Sequence, residues 1–225
     1  MPRILIGLTG QKGAGKDTSA MALLDHGFIA LAFADALREE VCFAFGIQPV
    51  MLTARASKEE PNAMLAFGRC RAPDFVQSVS RTLPSADVYR SRDRSEQWLA
   101  NPQSARRILQ LWGDWRRSQN PHYFIDRMQD RLDVMPGRNV VITDIRCNPE
   151  PHRLVEPQFV LHQGGEVWNI HRPGLATGDS HITEQPIPQH LIERIILNDG
   201  TVPELHGRIL IALQHTQTKR AGVMA

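Results

Sequence analysis

Gly10-Gln11-Lys12-Gly13-Ala14-Gly15-Lys16-Asp17-Thr18 gathers three glycines, two lysines, a carboxylate and a hydroxyl into nine consecutive positions. Glycines let successive backbone N–H groups turn inward on a polyphosphate, and a following helix adds its positive N-terminal end. The flanks suit that chemistry. Ile4-Leu5-Ile6-Gly7-Leu8-Thr9 reads as a buried strand, and Ser19-Ala20-Met21-Ala22-Leu23-Leu24 has helical spacing. Gly10, Lys12, Gly13, Ala14 and Gly15 form the cradle, and Lys16 brings a point charge to the β- and γ-phosphates. The residue after such a lysine is usually Ser or Thr, whose hydroxyl ligates Mg²⁺. Here it is Asp17, a hard oxygen ligand that also suits Mg²⁺, which leaves Thr18 for the α-phosphate. A purely electrostatic role at the helix N-terminus is also open to Asp17.

Further along, Asp144 ends the apolar run Asn139-Val140-Val141-Ile142-Thr143, where a phosphate-loop enzyme places a second acidic group near Mg²⁺. Arg146 follows two residues later and faces the same side if the chain stays extended. It could neutralise phosphate charge or be a surface arginine. Asp35 and Arg38 open the helix after the second strand. Asp35 reads either as that helix's N-cap or as a group facing an acceptor. Gly113-Asp114-Trp115-Arg116-Arg117 is expected to interrupt a helix, with Trp112 and Trp115 in the core and the two arginines toward an anion. Arg172, and the polar stretch holding His181 and Glu184, form either an ordinary surface loop or a lid that excludes water.

The elements that must position these groups alternate. Strands are expected at 3–8, 28–33, 139–144, 166–170 and 193–197, and helices at 16–26, 35–45, 103–118, 121–133, 150–163 and 201–215. Prolines loosen the pattern from 47 to 102, where only 62–67 and 73–80 read as short helices. This order gives an α/β fold with a five-stranded parallel sheet, helices on both faces, and ligands beyond the carboxyl ends of the strands. One domain is expected over 1–225, with a core of 1–46, 103–170 and 189–225. A helical acceptor-side insertion fills 47–102 and a short lid 171–188.

Composition narrows the class. At 225 residues and a net charge of +2, the chain can bury a real core and is not basic enough to read as a DNA-binding protein. Three scattered cysteines imply free thiols in a reducing cytosol. No apolar run reaches a membrane span, and the N-terminus has no signal-peptide pattern, so a cytoplasmic protein without a membrane partner is expected. Arginines crowd at 69, 71, 81, 90, 92, 94, 106, 107, 116 and 117, which suits an anionic substrate.

Taken together these pieces resemble the phage-type deoxynucleoside monophosphate kinases, within the wider P-loop nucleoside monophosphate kinases. The resemblance rests on Gly-Ala-Gly-Lys-Asp-Thr at 13–18, Phe33-Ala34-Asp35-Ala36-Leu37-Arg38 and Ile108-Leu109-Gln110-Leu111-Trp112-Gly113. It continues through Ile142-Thr143-Asp144-Ile145-Arg146, Gly164-Gly165-Glu166-Val167, Arg172-Pro173 and Asn198-Asp199-Gly200-Thr201. It implies transfer of the ATP γ-phosphoryl group to a deoxynucleoside monophosphate, with Mg²⁺. Lys16, Asp17 and Thr18, with Asn198 and Gly200, then serve ATP. Asp17 and Asp144 hold the metal, and Asp35, Arg38, Arg116, Arg117 and Arg146 take the acceptor, with Arg172 a lid arginine.

Three features depart from the family's pattern: the arginine-rich stretch 66–98, Asp114-Trp115 after the glycine, and Arg146-Cys147-Asn148-Pro149-Glu150. They leave open a modified pyrimidine nucleotide as acceptor, or a kinase acting on a hydroxymethylated base flipped out of DNA, with Asp35 as base. A non-catalytic nucleotide-binding module is the third reading.

Overall fold

The structure is a computed structural model that describes residues 3–54, 58–82, 92–148, 150–175 and 185–223. Its chain divides into two compact units, the first formed by residues 1–33 with 125–225 and the second by 34–124.

In the first unit, the apolar run after Arg3 becomes β1 (Leu5–Thr9), buried at every position. A strand buried on both faces must lie inside a parallel sheet. β1 is central in the order β2–β5–β1–β6–β7, formed with β2 (Ile29–Leu31), β5 (Val140–Ile142), β6 (Glu166–His171) and β7 (Arg194–Leu197). Every pairing is parallel, with Gly7 opposite Ile142 on one side and Val167 on the other. β5 is three residues of Val and Ile, fully buried, as a β-branched run between two neighbours should be.

Helix α1 (Lys16–Leu24) and the long α9 (Val202–Val223) pack with the sheet. Leu23, Leu205, Ile209 and Leu213 meet Ile6, Leu8 and Trp168 in that core. Truncating Leu8 or Ile209 to alanine would cost about 2–5 kcal/mol. Helix α8 (Val155–His162) starts five residues later than the sequence pattern suggests and contributes the buried Val160. Glu166 is buried at the start of β6, where its carboxylate accepts the Trp168 indole N–H at 2.8 Å and the Thr216 hydroxyl at 2.8 Å. Arg194 stands 3.4 Å from the same oxygen and balances its charge.

In the second unit, α2 (Phe33–Phe45) runs from the division and stops at Gly46, whose φ of 65° ends the helix. There follow α3 (Val50–Thr53), a two-residue ribbon of β3 (Pro61–Asn62) with β4 (Gln103–Ser104), two 3₁₀ turns between residues 63 and 69, α4 (Pro73–Thr82) and α5 (Arg92–Ala100). The core is aromatic. Phe67 stacks on Trp98 at 4.6 Å, and Phe75 packs on Trp112 at 4.6 Å and on Trp115 at 5.4 Å. The stretch 62–67, expected to be α-helical, is ribbon followed by 3₁₀ turn, and α5 was not anticipated. Helix α6 (Ala105–Gln119) passes through Gly113 without a break, contrary to the expected interruption. Trp112 and Trp115 anchor its apolar side in the core, and the Arg117 side chain lies over Gly113. Packing thus outweighs the roughly 1 kcal/mol that a mid-helix glycine costs. Helix α7 (Tyr123–Asp133) follows and continues into the first unit.

Candidate nucleotide site

The phosphate-loop candidates lie where β1 ends and α1 begins. Gly10, Gly13 and Gly15 have φ values of 137°, 84° and 101°, in the region that favours glycine. At Gly10 a Cβ would fall 2.3 Å from the Ile170 carbonyl oxygen, and at Gly15 one would fall 2.5 Å from Asn198 Nδ2. The loop backbone therefore runs hard against the ends of β6 and β7, a closeness only glycine permits. The Ala14 N–H donates to the Gln11 carbonyl at 3.1 Å, and Ala14 is buried. Lys16 Nζ donates to the Gly10 carbonyl at 2.6 Å and to the Gln11 carbonyl at 3.0 Å, so the ammonium lies over its own loop. Lys12 and Asp17 are exposed, and Thr18 is half-buried with its carbonyl 3.0 Å from His206 Nε2.

Asn198 sits one residue beyond β7. It is buried; its backbone N–H donates to the His171 carbonyl at 2.7 Å, and its side-chain amide donates to the Ala14 carbonyl at 2.7 Å. Gly200 leaves room for the Glu204 carboxylate, since a Cβ there would lie 2.2 Å from Glu204 Oε2. That carboxylate accepts the Thr201 N–H at 2.6 Å and the Thr201 hydroxyl at 2.9 Å, a capping box at the start of α9. The Thr201 backbone N–H holds the Glu204 carboxyl below its ordinary pKa, and the hydrogen bond from Arg208 does the same for Asp199.

Asp144 follows β5 by two residues and is half-buried. Its Oδ1 accepts the Phe33 N–H at 2.8 Å, so this carboxylate caps α2 from another part of the chain. The N-cap role that Asp35 offered is thereby filled, and Asp35 sits instead in the helix's first turn, paired to Arg38 Nη1 at 2.8 Å. The chain after Asp144 is not an extended strand. The Thr143 N–H donates to the Leu31 carbonyl, the Ile145 N–H to the Leu8 carbonyl, and the Arg146 N–H to Glu156 Oε2 at 2.9 Å. Glu156, buried in α8, also accepts the Asn148 side-chain amide at 3.1 Å and so fixes the turn that carries Arg146. The sequence reading passed over Glu156; a lone carboxylate in the apolar run of α8 was the available signal. Arg146 and Arg172 are both exposed. His181 and Glu184 lie outside the described residues, as does most of the expected lid. Leu175, before that stretch, packs against the first unit's core and stands 3.7 Å from a Cβ built on Gly13.

In the second unit the expected anion-binding arginines have neighbours of their own. Arg116 Nε donates to Glu40 Oε2 at 2.7 Å, and its guanidinium lies 4.5 Å from the Trp115 ring centre and 4.8 Å from that of Tyr123. Glu40 also accepts the Trp112 indole N–H at 2.8 Å and the Tyr123 hydroxyl, making it the hub of α2, α6 and the start of α7. Nothing in the sequence pattern singled Glu40 out. Arg117 stands 3.6 Å from Asp114 and over the Phe124 ring at 5.1 Å, and Arg106 pairs with Glu59. Arg69 and Glu96 line a cavity of about 390 Å³ between the 3₁₀ turns and α5. Arg90 and the side chains of Arg92 and Arg94 lie outside the described residues.

No group of three or more His, Cys, Asp or Glu gathers as a metal cluster among the described residues. Mg²⁺ in phosphoryl-transfer sites takes only one or two carboxylates, and phosphate oxygens and water complete its shell. Asp17 and Asp144 are carboxylates of the type it takes, the first exposed and the second half-buried. No described helix is long and apolar enough to cross a membrane.

No family model matches the chain. Over 209 residues it is 27% identical to "Putative deoxynucleotide monophosphate kinase" of Acanthamoeba polyphaga mimivirus, a match covering 92% of this chain and 94% of that protein. Among solved structures, TT1252 from Thermus thermophilus aligns with a TM-score of 0.47 and 16% identity, over 96% of this chain and 98% of its own. Dephospho-CoA kinase from Campylobacter jejuni aligns at 0.40 and 11%, over 95% and 97%. The chain is thus similar almost end to end to a protein named as a deoxynucleotide monophosphate kinase, and it carries a glycine cradle at the tip of a central parallel strand.

Proposed function

We propose that the chain transfers the γ-phosphoryl group of ATP to a deoxynucleoside monophosphate, giving a deoxynucleoside diphosphate and ADP. The observation that carries this reading is the loop from Gly10 to Thr18, whose positive-φ glycines and Lys16 suit a triphosphate, within a chain similar along its length to a protein named for that activity.

Bound ATP with Mg²⁺ supplies the transferable group and part of the charge neutralisation. The rest falls to the chain's own residues. Backbone N–H groups of residue 13 and of residues 15–18 orient the phosphates, aided by the positive end of α1. Lys16 exchanges its loop carbonyls for phosphate oxygens, which are stronger partners for an ammonium. Asp17 and Asp144 would hold the metal, whose hard-oxygen preference their carboxylates suit. Asp35 and Arg38 recognise the acceptor, and Arg117, Arg146 and Arg172 offset charge on the phosphates. Arg116 serves through its place in the Glu40 hub. A monophosphate oxygen is already ionised at neutral pH, so positioning and electrostatics suffice and no strong general base is needed.

The test is ADP production with Mg-ATP against a panel of deoxynucleoside monophosphates, including 5-hydroxymethylpyrimidine forms, beside hydroxymethylpyrimidine-containing duplex DNA. Turnover with at least one free monophosphate is expected. Turnover only on the DNA, or with no acceptor, would overturn the proposal.

A further inference from the structure

We infer that Asn198 is a positioning residue of the phosphate loop, acting on the nucleotide through the loop backbone and not by touching the base. This rests on the reading that residues 10–18 bind a nucleotide triphosphate. The amide of Asn198 is occupied: Nδ2 donates to the Ala14 carbonyl at 2.7 Å, and the residue is only 8% exposed. Its own backbone is fixed by the bond from its N–H to the His171 carbonyl at 2.7 Å, directly after the register in which His171 stands opposite Leu197. The end of the β6–β7 ladder is thus coupled to the tip of the loop by one side chain.

Two features make that side chain consequential. Ala14 and Gly15 share the peptide whose carbonyl Asn198 holds, and Gly15 has φ 101°, so this bond sets the plane of the peptide entering α1. Gly15 also abuts the amide closely enough that a Cβ would fall 2.5 Å from Nδ2. In a trans peptide the C=O and N–H point in opposite directions within one plane, so fixing the Ala14 carbonyl toward Asn198 turns the N–H of Gly15 the opposite way. An amide that accepted a base instead would leave the buried Ala14 carbonyl without its partner, which carries a penalty of its own.

The experiment compares wild type with Asn198→Ala and with Asn198→Leu, a neutral side chain with the same branching and number of heavy atoms that cannot donate. Amide hydrogen exchange without nucleotide is expected to rise about tenfold in residues 11–16 in both variants, and to stay unchanged in β1 and α9. Inorganic tripolyphosphate and ATP, titrated separately with Mg²⁺ by calorimetry, are expected to weaken by the same factor, about tenfold. Loss of ATP affinity with tripolyphosphate binding intact would assign Asn198 to the base and overturn the inference. So would unchanged exchange in 11–16, or a rise spread over the whole first unit, which marks a merely structural role. The exchange result stands without turnover, so a failure of the kinase reading and a failure of this inference are read separately.

Discussion

The phosphate loop in the first unit and the arginine-bearing helices in the second secure their polar groups by different means. The loop is held by backbone-directed contacts: positive-φ glycines, the Ala14 N–H on Gln11, the buried Asn198 amide on Ala14, and the Lys16 ammonium on the Gly10 and Gln11 carbonyls. The second unit relies on charge. Asp35 pairs with Arg38 with about a third of each side chain exposed, Arg117 faces a largely exposed Asp114, and Glu40 collects Trp112, Arg116 and Tyr123. Half-exposed pairs are screened and contribute little to stability, whereas backbone geometry defended by glycine has no substitute. The first arrangement depends on main-chain geometry, the second on pairs of side chains.

Four perturbations sharpen or break that contrast. Lys16→Ala should have the largest effect, lowering phosphoryl transfer by about 10²–10³-fold or more in steady-state kinetics while the fold is retained. An unimpaired variant would remove the loop from the account. Gly10→Ala forces a Cβ to within 2.3 Å of the Ile170 carbonyl at φ 137° and should cost about 2–4 kcal/mol in urea unfolding.

Glu40→Ala strands the indole of Trp112 and the guanidinium of Arg116 and should cost about 1–3 kcal/mol. Glu40→Gln, which keeps the shape, should cost less. If the second unit serves the acceptor, Glu40→Gln raises the acceptor KM several-fold and leaves the ATP KM in place. A rise in both equally would erase the distinction between the units. The smallest effect concerns Cys70. Burial raises its thiol pKa, so it stays protonated at neutral pH and becomes a nucleophile only as pH climbs past its ordinary value. Iodoacetamide labelling should be several-fold slower than for a free thiol at pH 7.5 and should accelerate with alkalinity. Rapid labelling at neutral pH would show the second unit opening.

The sheet was legible wherever local chemistry decides. β1, the loop and α1 follow from apolar run, glycines and helical spacing, and β5 from its β-branched residues. Reading failed where a distant group decides. Asp35 looked like the cap of α2, but the cap comes from Asp144, more than a hundred residues away. Gly113 looked like a break, but aromatic packing carries α6 through it. The ribbon of Pro61 with Ser104 is too short to leave any periodicity. In the candidate site, the residues of the loop were named from glycine geometry. Glu40 and Glu156 were not, because a carboxylate's value as a hub depends on donors brought by other elements. Gly200, named for the nucleotide, makes room for the Glu204 cap, a neighbour that sequence spacing alone does not show.

The central claim is that the Gly10–Thr18 loop presents a phosphoryl group for transfer to a monophosphate. It is tested most directly by following γ-³²P-labelled ATP with Mg²⁺ and each deoxynucleoside monophosphate, separating the products by chromatography for wild type and Lys16→Ala. The account predicts that label moves into a deoxynucleoside diphosphate with wild type, matched by ADP, and stays in ATP with Lys16→Ala. Label that remains in ATP with every acceptor, or leaves only as inorganic phosphate, would contradict it.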